Sequence, residues 1–353
     1  LTEFGARAAP LLKEAGNSFD VLLAQLLGLL QTFTWAVPSD TQELVPDVSL
    51  FDHMRTTAAI AACLYYVIED TGVWEEAAVV DREAERFILA VGDVSGIQEY
   101  IFGVATAEDI GKGIARRLRA RSLFVQLLSE TVPLQILRSL DLPLTNTIMA
   151  SGGKFYLLLP RTASVEAVLT EVQRRLDGWF HHEMNGLLAL NLAWAPFSGA
   201  ELAGGQEHGF GGVVKRAMDR LAGRKDQRFR EVLQRGGRWQ EESFVFPPFA
   251  VDQQACASCH KFPAVDGALC RQCVQDLQWG AFLRKARYAV FGGGPGGDAR
   301  NLAGTDVTLV ENLARLQIEP DLVLSINDPD AADAAQYPAL FRYMVTHGPA
   351  DES

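Results

Sequence analysis

What the chain is short of narrows its function first. Positive charge is in deficit: 32 Lys and Arg stand against 44 Asp and Glu, a net charge of −12 over 353 residues. A surface coated in positive charge that grips nucleic acid unaided is therefore excluded. Any such contact needs a local basic patch or a basic partner. Long apolar runs are missing too. The longest, near residues 58–68, falls short of the roughly 20 residues that cross a bilayer, so no membrane partner is expected. The first residues show no basic stretch leading into an apolar block and a small-residue cleavage site, so no signal peptide is expected. The chain starts at Leu1, not Met, and a truncated start is expected. Of the five cysteines, four form two C-x-x-C pairs and Cys63 lies alone in an apolar helical stretch, a pattern that reads as metal binding in a reducing, cytoplasmic setting rather than as a disulfide framework. The six histidines include no His-Asp dipeptide. A phosphohydrolase metal set is thus incomplete, and Asp52-His53 reads as a capping or core-edge pair.

What is present reads as an α+β protein of two or three domains. Hydrophobic residues make up 48% and charged residues 22%, ordinary for a globular chain. Residues 1–82 read as helical. "RFILAVGDVS" then reads as a buried strand, and Ser95 with Gln98 as a capping box opening a helix. A longer helix covers about 112–138. "NTIMAS" and "KFYLLLP" are strands joined at Gly152-Gly153. Val165, Val168, Leu169, Val172, Leu176 and Trp179 recur at helical spacing. "LLALNLAWAPF" alternates like a half-buried strand. The order β-α-α-β-β-α-β over 83–200 is that of a ferredoxin-like palm, an antiparallel sheet with helices on one face. Residues 201–285 follow as a charged helical linker with a cysteine element, and 286–353 as a further linker.

Three constellations carry chemistry. Cys256-x-x-Cys259 and Cys270-x-x-Cys273 are two thiolate pairs fit for tetrahedral zinc. With four protein ligands no position stays open for water, so the site reads as structural. His260 is a substitute ligand the set does not need. The second constellation is Asp93 with the Gly152-Gly153 hairpin. In a two-metal nucleotidyl site an acid at the end of the first strand faces acids at such a hairpin. Here Lys154 and Phe155 follow the glycines, and Mg²⁺ demands oxygen ligands, so this palm reads as catalytically silent. Two readings stay open: a nucleotide site using Asp93, Ser95, Gly96, Gly152, Gly153 and Lys154, with helix N–H groups on a phosphate, or a plain turn-capping aspartate. The third is Lys112, Arg116, Arg117, Arg119 and Arg121, crowded on one helix with few acids four residues away. They read either as a binding surface for phosphates or an acidic partner, or as a solvated face. Gly292-x-Gly294-x-x-Gly297 contains Pro295 and leads into no amphipathic helix, so it reads as a loop rather than a dinucleotide fingerprint. Gly296-Gly297-Asp298 likewise only imitates a cyclase hairpin.

"GDVSGIQEYIF", "KGIARRLRARSLFVQLL" and "SGGKFYLLLP" together resemble the first palm of the large subunit of type III CRISPR–Cas effector complexes, of the A or the related D subtype. "SLFDHMRTTAAIAACLY" resembles the last helices of that family's HD domain, the paired C-x-x-C motifs its zinc element, and "FRYMVTHGP" the approach to its second palm. The resemblance implies a scaffold and half of a composite ATP site. It implies a complete protein that uses ATP with Mg to make cyclic oligoadenylate and cuts single-stranded DNA. It also implies partners in the other effector subunits, guide RNA and target RNA. The cutting motif is expected upstream of Leu1 and the Gly-Gly-Asp-Asp hairpin beyond Ser353, so the chain alone reads as inactive. Two other readings remain: a zinc-stabilised interaction module with no nucleotide role, and a free-standing nucleotidyl cyclase.

Overall fold

The structure is a computed structural model and describes residues 2–14, 18–42, 45–103, 113–204, 209–235, 237–243, 253–265, 267–292, 299–316, 319–327, 334 and 336–341. Lys112, the glycine-rich stretch after Gly292 and most of "FRYMVTHGP" lie outside these residues. The chain begins with helices α1 (Thr2–Glu14), α2 (Phe19–Thr34), α3 (Leu50–Thr71) and α4 (Glu76–Val80). Strand β1 (Glu85–Ser95), helices α5 (Ile97–Phe102) and α6 (Ile114–Ser139), strands β2 (Thr147–Ser151) and β3 (Lys154–Pro160), helix α7 (Ala163–Met184) and strand β4 (Ala189–Ser198) follow. Next come helices α8 (Gly199–Ala203), α9 (Phe210–Lys225) and α10 (Arg230–Leu233), then the short hairpin β5 (Gln234–Arg235) and β6 (Arg238–Trp239). Helix α11 (Arg271–Phe282) precedes strands β7 (Tyr288–Phe291), β8 (Arg300–Leu302), β9 (Thr305–Val310), β10 (Leu322–Ser325) and β11 (Ala339–Phe341). Contacts divide the chain into two compact units, one of Met54–Gly103 and Phe124–Ala250, the other of Leu1–His53, Val104–Leu123 and Val251–Ser353.

In the first unit the sheet order is β2-β3-β1-β4, all antiparallel, the split β-α-β arrangement expected from the element order. Helices cover both faces rather than one. Phe87, Leu89 and Val91 pack with Ala59 and Cys63 of α3 and with Val213, Ala217 and Leu221 of α9, while the intervening Ile88 and Ala90 are also buried. The cause is in the sequence: β1 is apolar at both parities, as a strand covered on both sides must be. For the same reason β4 is not half-buried; residues of both parities are enclosed. Buried Asn146 ties α3 to the sheet, donating from Nδ2 to the Leu158 carbonyl at 2.6 Å and to Cys63 Sγ at 3.4 Å.

An edge strand exposes unpaired backbone groups, and β4 has them met by side chains. The Gln173 amide of α7 accepts from Leu192 N–H at 2.6 Å and donates to the Leu190 carbonyl at 3.0 Å. On the same edge, Arg220 and Arg216 of α9 donate to the Trp194 and Pro196 carbonyls.

In the second unit α1 meets α2 through an edge-to-face Phe4–Phe33 pair, centroids 5.6 Å apart. Gln25 of α2 is buried and donates to the Ala334 and Tyr337 carbonyls near β11. Residues 286–353, read from the sequence as a linker, carry strands β7 to β11 in a sheet of order β11-β10-β7-β9-β8 around Tyr288, Val290 and Val323. These strands have three to six residues each, too short for a periodic signal. No helix of the described residues is long and apolar enough to cross a membrane.

Candidate functional site

Asp93 is the third residue from the end of β1, and it lies on the α3/α9 face of that strand, two residues beyond buried Val91. Register places it opposite Lys154 of β3 and Asn191 of β4. Its Oδ1 lies 3.5 Å from Lys154 Nζ, and its Oδ2 lies 2.5 Å from Nζ of Lys225, the last residue of α9. Asn191, 1% exposed, donates from Nδ2 to Ser95 Oγ at 3.3 Å. The sequence reading brought Asp93 and Lys154 together but missed Lys225 and Asn191. One carboxylate meeting two ammonium groups leaves a local excess of positive charge. It also offers no set of oxygen donors on which two Mg²⁺ ions could assemble, so the residues here do not fit that metal pair.

Phe155 occupies the opposite face, as strand alternation requires. It is fully buried and lies across Gly92, its register partner. A Cβ at Gly92 would come within 2.1 Å of Phe155 Cζ, so the bare glycine makes room for the ring.

The hairpin tip is anchored rather than open. Gly152 and Gly153 take φ of 62° and 89°, the left-handed pair that glycine serves in a tight two-residue turn. Their N–H groups donate to Gln126 Oε1 at 3.0 Å and Ser129 Oγ at 2.8 Å, both from α6. Ser95 and Gln98 form no capping box. Ser95 stays in β1, paired with Ala189, and the N-cap of α5 is Gly96 at φ 90°, with no side-chain cap hydrogen bond. Only glycine fits there, because a Cβ would meet the Leu187 carbonyl oxygen at 2.1 Å. Asp52 takes a capping position: its N–H donates to Ser49 Oγ and its carboxylate accepts from the same hydroxyl.

The four cysteines converge. The sulfurs of Cys256, Cys259, Cys270 and Cys273 lie within 4.8 Å of one another, and all four residues are buried. The Cys259–Cys270 sulfur pair is 3.7 Å apart. Zinc–sulfur bonds of about 2.3 Å in a tetrahedron put sulfurs about 3.8 Å apart, so donor type, burial and spacing fit zinc. Cys270 is the N-cap of α11 and Cys273 lies in its first turn. The first pair is shaped by His260, which closes a turn at φ 55° with its N–H on the Cys256 carbonyl. His260 itself is exposed and outside the cluster. Hydrogen bonds from the Cys270 and Cys273 thiols hold the Cys259 thiol well below its usual range.

The arginine helix divides. Arg116 and Arg119 of α6 are exposed, and Arg119 reaches the Gly280 carbonyl. Arg117 and Arg121 are 3% and 5% exposed, which leaves neither open to a phosphate backbone. Arg121 is held on Asp276 of α11.

Residues 86–237 match the family described as Csm1 subunit domain B. A Thermococcus onnurineus protein named CRISPR system single-strand-specific deoxyribonuclease Cas10/Csm1 (subtype III-A) is 35% identical over 214 residues, covering 59% of this chain and 26% of that protein. Its Mycobacterium tuberculosis namesake is 30% identical over 227 residues, covering 60% of this chain and 27% of that one. The matched region thus spans about a quarter of these relatives' own length. A crystal structure of a Csm1-Csm4 cassette in complex with one ATP superposes with a TM-score of 0.68 at 25% identity, over 96% of this chain and 41% of that chain.

Proposed function

The chain carries a Csm1 domain B at residues 86–237 and is part of the Cas10/Csm1 large-subunit family, and on that premise we propose that it is the central portion of a type III-A effector large subunit. In this reading residues 1–82 are the end of an HD-like helical region, 83–200 the first palm, and 201–285 a helical segment with a structural zinc element. The palm is one lobe of a shared ATP site. The observation that carries the reading is the occupation of Asp93 by Lys154 and Lys225. Two ammonium groups around one carboxylate attract a triphosphate, and nothing there activates a metal-bound nucleophile. This lobe binds and orients the phosphates, and bond making belongs to a second lobe that brings the carboxylates. The ATP complex of the solved Csm1-Csm4 cassette supports the nucleotide class.

Zinc, when bound, supplies a cross-link between the two C-x-x-C pairs; Cys256, Cys259, Cys270 and Cys273 would hold it. Oligoadenylate synthesis, single-stranded DNA cleavage, the partner subunits, guide and target RNA, and a cytoplasmic setting belong to the proposed whole protein. In that assembly Arg116 and Arg119 are the residues of α6 that face RNA phosphates or an acidic partner.

Calorimetric titration of the 353-residue chain with ATP tests the reading. Weak binding is expected, diminished in Lys154→Met and Lys225→Met, with no oligoadenylate formed in Mg²⁺. Linear or cyclic product from this chain alone overturns the silent lobe. Binding unaffected by either lysine moves the nucleotide elsewhere. No binding at all favours the zinc-stabilised interaction module, a reading supported by the hairpin amides being already taken by Gln126 and Ser129.

A further inference from the structure

Arg121 sits where the sequence suggests a phosphate-facing side chain, yet its guanidinium spans two buried acceptors. Nε lies 2.6 Å from Asp276 Oδ2, and Nη2 lies 3.7 Å from Cys273 Sγ. Asp276 is fully buried, and its other oxygen takes Arg300 Nη1 at 2.7 Å. Arg300 in turn rests over the Trp279 ring, 5.6 Å from its centroid. The arrangement follows from helical spacing. Cys273 and Asp276 are three residues apart on α11, so sulfur and carboxylate share one face. Gly280 lets α6 approach α11 closely, since a Cβ there would meet the Arg116 carbonyl oxygen at 2.0 Å.

Four thiolates on one divalent ion leave a metal site anionic, and a buried anionic site needs donors aimed at its sulfurs. An N–H directed at a thiolate withdraws charge from it, makes it less basic and protects the metal–sulfur bond from protons. We infer that Arg121 is a positioning residue of the metal centre: it hydrogen-bonds the Cys273 thiolate, Asp276 aims the guanidinium, and Arg300 balances Asp276. The inference rests on the zinc reading above. It turns one member of the basic helix from a surface contact into a support of the cysteine site.

Cobalt(II) in place of zinc gives the test, in the full chain and in Arg121→Met, Arg121→Lys and Arg300→Met. Arg300→Met disturbs the same carboxylate and leaves the Arg121 side chain in place. Arg121→Lys keeps a charge for Asp276 but cannot span both acceptors, and it stands in if Arg121→Met does not fold. Both Arg121 variants are expected to move the thiolate-to-cobalt charge-transfer band to lower energy and to raise the pH at which metal is released. They should also weaken zinc by about 10- to 100-fold. Arg300→Met is expected to keep the parent band. Equal spectra and affinities in the Arg121 and Arg300 variants overturn the role of Arg121. Failure of the parent chain to take up cobalt or zinc overturns the zinc reading instead.

Discussion

Lys225 Nζ lies 2.5 Å from Asp93 Oδ2, joining the last turn of α9 to the first strand of the sheet. In the proposed ATP site Asp93 competes with the phosphates for Lys154 and Lys225. Replacing it with asparagine keeps the shape and removes the competing charge. For a part-exposed pair of this kind the gain is roughly two- to fivefold in ATP affinity, read by calorimetry at fixed salt. Unchanged affinity in Asp93→Asn would mean the two lysines do not face the nucleotide.

Gly92 and Phe155 lead to a packing prediction. Gly92→Ala forces a Cβ against a fully buried ring, and such overpacking costs about 1–3 kcal/mol. Phe155→Ala leaves a cavity and costs about 3–5 kcal/mol. Combining Gly92→Ala with Phe155→Leu should recover part of the first loss. Urea unfolding of the parent, Gly92→Ala, Phe155→Leu and the double variant checks this, and strict additivity would show that the two residues do not share one space.

Asp177 makes stability depend on pH. It is 3% exposed on α7 and accepts from Gln173 Nε2 at 2.6 Å. Burial pushes its carboxyl from 3.8 up to about 6, against the opposing pull of the Gln173 hydrogen bond. Because the folded value is raised, the associated stability is fully present below 3.8 and is lost as pH rises through about 6. A shift of this size is worth at most about 3 kcal/mol. Asp177→Asn is therefore expected to gain on the parent as pH rises across that window and to hold its advantage at neutral pH. Melting curves in that range that stay parallel would contradict this.

Chelation should dismantle the cysteine element. One zinc per chain is expected by elemental analysis, and removing it should lower the melting temperature sharply, since metal binding and folding are linked. Cys256→Ser, at a buried ligand position, should reproduce the loss. A chelator-indifferent melt in a zinc-free preparation would remove the metal from the account.

Parts of this molecule are legible from local pattern alone. The β1 run, the stripe through Val165, Leu169, Val172 and Leu176, and the paired C-x-x-C spacing each announce an element or ligand set within a few residues. The contacts that define the site are not local. Lys225 reaches Asp93 from a helix far along the chain. Gln173 replaces a missing strand neighbour, and Gln126 and Ser129 seat the hairpin tip. Each of these three is a polar residue within or beside an apolar helical stripe, and that interruption is the one trace they leave in the sequence. Arg117 and Arg121 mislead for the converse reason: charge suggests exposure, while the acidic partner of Arg121 lies on another helix.

The ring of Phe155 seated on Gly92 also limits what position 155 can become. A carboxylate there would be carried into the packed interior on the face of the sheet away from Asp93, where an unpaired charge is costly. An acid that shares a metal with Asp93 therefore cannot be gained at 155 by that single substitution.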